Sequence, residues 1–318
     1  MSHLHYIVFK IDFFTCSSDS SILLDCGEGT ADQITRFYGV SKSLKVFSQL
    51  NAIYVSHLHA DHHLGLMTLL KERYAALKSL GLPQTPVILI APQEIMSWLH
   101  LYDKSFEKIK HLFVLAPCTR FQTSEGGQDK SSVLGKLNLE SLETDYVVHC
   151  KNSFGVALKH CDGWKLTYSG DTMPSEALIK IGKDSDILIH EATLEDDLKH
   201  EAIIKQHSTT SEAILVGKRM GAKYTLLTHF SQRYAKVPVI TSNFDSSVGI
   251  AFDNMIICAR DLPKLPMLYP ALKAMFAEEC DQLELKTLKK QRKREREQQK
   301  LVENSSNNNN SAVAGANT

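Results

Sequence analysis

A chain of 318 residues that is 43% hydrophobic holds enough apolar material for one large domain or two small ones. With 36 basic and 36 acidic residues the formal net charge is zero, so overall charge gives no case for nucleic-acid binding; a polyanion site must come from local clustering or bound metal. Seven cysteines with no regular spacing and no CxxC pair argue against a disulfide framework or a cysteine-based structural zinc site, and fit reduced thiols in an intracellular compartment.

No apolar run reaches the ~18–20 residues needed to span a bilayer. The opening MSHLHYIVFKIDFF has neither signal-peptide character nor that of an Arg-rich presequence. Residues 22–25 read as a short buried strand, broken by Gly27 and Gly29, and 30–39 as a helix. An apolar run at 52–55 leads into the polar hexapeptide His57-Leu58-His59-Ala60-Asp61-His62. Helical spacing follows over 64–80, with Leu66, Leu69, Leu70, Tyr74 and Leu77 on one side, Gly81 as C-cap and Pro83 beyond it.

Further strands are predicted at 87–90, 112–115, 146–149, 154–159, 165–168, 187–190, 224–228 and 254–258. Helices are predicted at 92–101, 174–182 and 208–220, and the Gly/Ser-rich stretch 119–141 as a loop or irregular hairpin. Consecutive strands without helices in the middle of the chain fit two sheets in contact with helices outside, a four-layer α/β fold, better than a doubly wound sheet. Residues 283–300 are rich in Lys and Arg, and Asn307 to Asn310 follow. The expected division is an atypical N-terminal segment at 1–20, a catalytic domain at 21–280 and a disordered tail at 281–318.

The hexapeptide places four cation ligands in six residues where the chain leaves a buried strand. Other candidate ligands recur at the ends of predicted strands: His149, Asp171, His190 and His229, with His207 ahead of a helix. A polar turn that happens to be His-rich is the bland alternative for the hexapeptide, as a core histidine is for His190.

His57-x-His59-x-Asp61-His62 resembles the HxHxDH signature of the metallo-β-lactamase superfamily, and Tyr168-Ser169-Gly170-Asp171-Thr172 its bridging-aspartate motif. His190-Glu191-Ala192-Thr193, His207-Ser208-Thr209 and His229-Phe230-Ser231-Gln232-Arg233-Tyr234 narrow the resemblance to ribonuclease Z, the tRNA 3′-processing endonuclease, over roughly 21 to 276. The resemblance implies an αββα metallo-β-lactamase fold, with two sheets face to face and helices outside. It implies two Zn2+ per chain: His57, His59 and His149 on one, Asp61, His62 and His229 on the other, and Asp171 bridging. A water or hydroxide between the ions would attack the phosphodiester of precursor tRNA and leave a 3′-hydroxyl. Asp61 would take a proton, and His207, oriented by Glu191, would assist the leaving 3′-oxygen. Arg233 and Lys236 would contact phosphate and Tyr234 would stack on a base. Long-form relatives imply a nuclear or mitochondrial location.

Two departures stand out. Residues 1–20 lack the family's opening strand and Gly-rich loop, which leaves a sheet edge expected to be open. Only 21 residues separate His149 from Asp171, too few for the tRNA-gripping arm of small members. The chain therefore looks like the C-terminal half of the long form, acting as a homodimer or with an N-terminal half. The alternatives are another hydrolase of this fold, acting on thioesters or small phosphodiesters, and a non-catalytic fragment that binds RNA or a partner.

Overall fold

The computed structural model describes residues 20–122, 130–231 and 243–278, the backbone of 6–8 and 12–17, and Leu285, Lys289, Arg292 and Arg296. It divides into two compact units, 1–231 with 242–267, and 232–241 with 268–318.

In the first unit one sheet is built from β1 (Tyr6–Val8), β2 (Asp12–Ser17), β3 (Ser20–Leu24), β4 (Leu50–Tyr54), β5 (Val87–Ala91) and β6 (Phe113–Pro117). The other takes β7 (Leu139–Tyr146), β8 (Phe154–His160), β9 (Lys165–Tyr168), β10 (Ile187–Glu191), β11 (Tyr224–Thr228) and β12 (Val248–Ile250); β13 (Ile256–Cys258) returns to the first. The orders are β13-β1-β2-β3-β4-β5-β6 and β12-β11-β10-β9-β8-β7. β3 to β6 run parallel, as do β9 to β12. The helices are α1 (Thr30–Tyr38), α2 (Val40–Ser48), α3 (Ala60–His63), α4 (Leu66–Ser79), α5 (Glu94–Ser105), α6 (Ser131–Leu137), α7 (Glu176–Ile181), α8 (Lys199–Lys205) and α9 (Thr210–Met220).

The period-2 geometry of a strand sorts its side chains into layers. Ile22, Leu24, Ala52, Tyr54, Ile88 and Ile90 face Val156, Leu158, Leu166, Tyr168, Ile189 and Leu226 of the other sheet. Their neighbours Leu23, Ile53, Val55, Val87 and Leu89 face outward onto Ile34, Phe47, Leu69, Leu70 and Leu99 of the helices. On the far side Ala157 and Leu188 meet Leu178, Ile181, Val216 and Met220 of α7 and α9. The order helix, sheet, sheet, helix is the expected αββα sandwich. Each fully buried Leu or Ile contributes about 1.5–3 kcal/mol. Among the described residues no helix is long and apolar enough to cross a membrane.

Several local expectations are corrected. Residues 1–20 supply two strands: β2 pairs antiparallel with β3, so the sheet does not end at β3. The stretch predicted as loop over 119–141 carries α6 and the start of β7, because Val133 and Leu137, four residues apart, both reach the core. The strand predicted at 146–149 lies at 139–146 instead, and His149 sits in an irregular turn. α2, α8 and β12 had no sequence prediction. In the second unit, Tyr269–Met275 forms a short helix with Pro in its first turn. The described residues of the charged stretch, Leu285, Lys289, Arg292 and Arg296, are helical, and the rest of the expected tail lies outside the described residues.

Candidate metal centre

The parallel strands set the site, because their C-terminal ends open on one edge of the sandwich. β3 delivers Asp25, β4 delivers Ser56 and His57, β9 leads to Asp171, β10 ends at Glu191 and β11 leads to His229. The hexapeptide is not a simple loop: Asp61 and His62 lie on α3, directly after His59. Gly65 lets this turn dock. A Cβ there would stand 2.0 Å from the Gly27 carbonyl oxygen, and the Gly65 N–H donates to the Cys26 carbonyl at 2.9 Å. Gly170 does the same for the Asp171 loop, with φ 58° and a Cβ position only 2.7 Å from Ser56 Cβ.

The candidate ligands converge. One donor atom each from Asp61, His62 and His229 falls within a 4.8 Å cluster, and His57, His59 and His149 share a second such cluster. Asp171 joins His57 and His62 in one grouping and His149 and His207 in another. Its Oδ2 is 3.2 Å from His62 Nε2, 3.8 Å from His57 Nε2 and 3.9 Å from His149 Nε2, while Oδ1 is 3.5 Å from His229 Nε2.

Hydrogen bonds behind these rings assign their tautomers. Asp25 accepts from the Ser56 N–H at 2.7 Å, the Ser56 hydroxyl at 2.8 Å, the Tyr168 hydroxyl at 2.7 Å and His62 Nδ1 at 2.6 Å. With the Ser56 hydroxyl hydrogen committed to Asp25, His57 Nδ1–H donates to Ser56 Oγ at 2.9 Å. His149 Nδ1–H donates to the Gln206 carbonyl at 2.9 Å, and His229 Nδ1–H to Thr193 Oγ1 at 2.8 Å. In all four rings Nδ1 is taken up by these partners and Nε2 faces the cluster. His59 differs and presents Nδ1, 3.1 Å from His149 Nε2. A backing acceptor that fixes ring orientation is the usual arrangement behind a metal-binding histidine.

Electrostatics separates the carboxylates from the rings. Burial alone would raise Asp171, but the His229, His62 and His57 imidazoles outweigh it and hold the carboxyl well below the usual range. Asp61 is held down first by its hydrogen bond with His229. Burial pushes His57 down to about 3. Burial would also lower His229, but Asp171 and Asp61 bring it up to about 9. His57 Nε2 and His62 Nε2 are buried without a hydrogen-bond partner. Ionised carboxylates beside two orphaned buried nitrogens fit divalent cations, which satisfy both.

Glu191, 1% exposed, lies beside the cluster. It accepts from Thr172 N–H at 2.8 Å, Thr193 N–H at 3.1 Å, Thr193 Oγ1–H at 2.6 Å and His207 Nδ1–H at 2.7 Å. The triplet 207–209 divides its work: Ser208 Oγ donates to the Thr172 carbonyl at 2.6 Å, and Thr209 caps α9 in a reciprocal box with Glu212. His190 is fully buried, with Nδ1–H on the Glu191 carbonyl at 2.7 Å, and does not join the cluster. Arg233, Tyr234 and Lys236 lie outside the described residues. Asp25, Ser56 and Thr193 had no assigned role in the sequence; the only signal for Asp25 was a carboxylate closing a buried apolar strand.

A two-sheet sandwich with a histidine–aspartate cluster at one strand edge is the architecture and donor set of the metallo-β-lactamase class. Residues 20–230 match the family described as "Beta-lactamase superfamily domain", and the chain belongs to that superfamily. Within it the chain is similar to "Zinc phosphodiesterase ELAC protein 2" of Homo sapiens, 49% identical over 275 residues, covering 84% of this chain and 33% of the relative. It is also similar to "Ribonuclease Z, mitochondrial" of Drosophila melanogaster, 48% identical over 281 residues, covering 86% of this chain and 36% of the relative. The crystal structure of a long-form RNase Z from yeast superimposes with a TM-score of 0.73 at 27% identity, covering 85% of this chain and 43% of that one. The chain spans about a third of the length of the curated relatives it matches.

Proposed function

We propose that this chain is a zinc-dependent endoribonuclease that removes 3′ trailers from precursor tRNA. His57, His59 and His149 would hold one Zn2+ and Asp61, His62 and His229 a second, with Asp171 grouped with ligands of both sets. The names of its relatives support zinc and tRNA, and one observation of the site carries the reaction type: a buried Glu191 holds Nδ1 of His207 at 2.7 Å, and His207 itself groups with His149 and Asp171.

Bound zinc lowers the pKa of water and stabilises charge on the attacked phosphate. The protein's own groups complete the step. Asp61, 67% exposed at its side chain, reaches the solvent side of the cluster and accepts the proton of the attacking water. Glu191 orients His207 through Nδ1, so Nε2 presents a proton to the departing ribose 3′-oxygen. The tRNA keeps its 3′-hydroxyl and the trailer its phosphate. With no room for a gripping arm between His149 and Asp171, a second copy of the chain or a further N-terminal half is expected to hold the tRNA body. The location proposed is the nucleus or the mitochondrion.

The test is zinc content together with single-turnover cleavage of a 3′-extended tRNA. His57→Ala is expected to lose zinc and abolish cleavage; cleavage at the wild-type rate by this variant refutes the reading.

A further inference from the structure

β7 is antiparallel to β8, which is antiparallel to β9, so its last residue, Tyr146, comes out on the same edge of the sandwich as the ends of β9, β10 and β11. Tyr146 stands opposite Phe154 in the ladder, and the two rings pack 4.5 Å apart at 32°. Phe154 is 1% exposed and is tied to the strand that carries His57: its N–H donates to the Ser56 carbonyl at 3.0 Å, and its carbonyl accepts from the Tyr54 hydroxyl at 2.6 Å. Tyr146 is nevertheless 45% exposed, as is Val148 two residues on. Val147 turns the other way, into the cluster of Leu178 and Ile181, so Tyr146 and Val148 share a side. Val148 is fixed through its backbone, with its N–H on Thr172 Oγ1 at 3.0 Å and its carbonyl accepting from the Met173 N–H at 2.9 Å. An exposed apolar strip with one buttressed ring thus leads up to His149. Three residues of chain, at most about 11 Å, separate Tyr146 from that residue, which is the reach of a nucleotide whose phosphate sits at the cluster.

We propose that Tyr146 is the stacking platform for the first nucleobase of the trailer, with Val148 beside it. The inference rests on the RNA reading above and adds a subsite to it. A single-stranded trailer has base faces free to stack, and a tyrosine held by a buried aromatic neighbour offers its own face already ordered. The side of the scissile bond follows from the sheet. Glu191 and His207, which serve the departing 3′-oxygen of the tRNA, belong to the β10 end, whereas β7 closes the opposite side of the same sheet. The trailer keeps the phosphate and continues from its 5′-oxygen, away from His207 and toward β7. Every base has a face that stacks, so the subsite adds affinity without sequence choice.

The test compares two 3′-extended tRNAs in single-turnover cleavage by the full chain with zinc, one intact and one abasic at the first trailer nucleotide. In the wild-type protein, loss of the base is expected to raise the half-saturating protein concentration by about 5- to 150-fold, the span of one base–aromatic stack. Tyr146→Phe keeps that response, and Tyr146→Ala no longer distinguishes the two RNAs. In the wild-type protein 5-iodouridine at the first trailer position is expected to crosslink to the peptide that carries Tyr146, whereas the same label on the last tRNA nucleotide does not. That readout is independent of how any variant folds. No effect of base removal in the wild type, an equal effect in Tyr146→Ala, or a trailer crosslink to another peptide overturns the platform and leaves the cleavage reaction standing. A wild-type protein that cleaves neither RNA overturns the proposed function and the subsite with it.

Discussion

Glu191 and His207 carry the clearest division of labour among single residues. Three donors from Thr172 and Thr193 hold the buried carboxylate independently of His207, and the imidazole inherits that precision. His207→Ala is expected to lower single-turnover cleavage by about 10²–10⁴-fold with zinc content unchanged; a parallel loss of zinc makes His207 a ligand instead. His190, one position earlier, illustrates a different constraint. Burial holds its imidazole below the ordinary range, so the folded protein keeps it neutral where the unfolded chain takes up a proton. The unfolded state then binds more protons, and stability falls as pH drops below about 6.5 toward the depressed folded value, by up to about 1.4 kcal/mol per pH unit. His190→Gln is expected to flatten that slope in denaturant titrations of the metal-free protein. An unchanged slope means that His190 does not titrate with unfolding.

Among the elements, α3 is the one whose placement decides the site. It is a single turn of helix and has no stability of its own. It is held by backbone contact with the loop after β3, where the Cys26 N–H donates to the His62 carbonyl at 2.8 Å and Gly65 packs on the Gly27 carbonyl. Gly65→Ala therefore forces backbone apart. We expect it to cost about 1–3 kcal/mol in thermal unfolding and to weaken zinc binding measured by calorimetry; a variant with wild-type melting and zinc affinity shows that the contact yields freely. α8 has a comparable role. Its end at Gln206, with φ 56°, turns one carbonyl toward His149 and starts the run to His207.

For the whole molecule, the proposed function separates metal chemistry from substrate grip. The candidate ligands lie within the described part of the first unit, on strand ends that the sandwich core holds in place. The chain alone is therefore expected to hydrolyse bis(p-nitrophenyl) phosphate in a zinc-dependent way, while its KM for precursor tRNA lies well above that of a full-length relative. Equal KM values would place the grip within these 318 residues.

The sequence alone determined the dense ligand pattern at 57–62, the Asp171 and His229 positions after apolar runs, and the run of consecutive strands that predicts two layered sheets. Each of these is a local pattern with a fixed period or spacing. What the tertiary structure decided is everything that acts across the gap between segments: Asp25 behind His57 and His62, Thr193 behind His229, and the Gln206 carbonyl behind His149. A hydrogen-bond partner 37 or 57 residues away leaves no periodic trace in the chain, because folding alone brings the two together. The same holds for β2 beside β3, whose pairing depends on backbone groups that every residue carries.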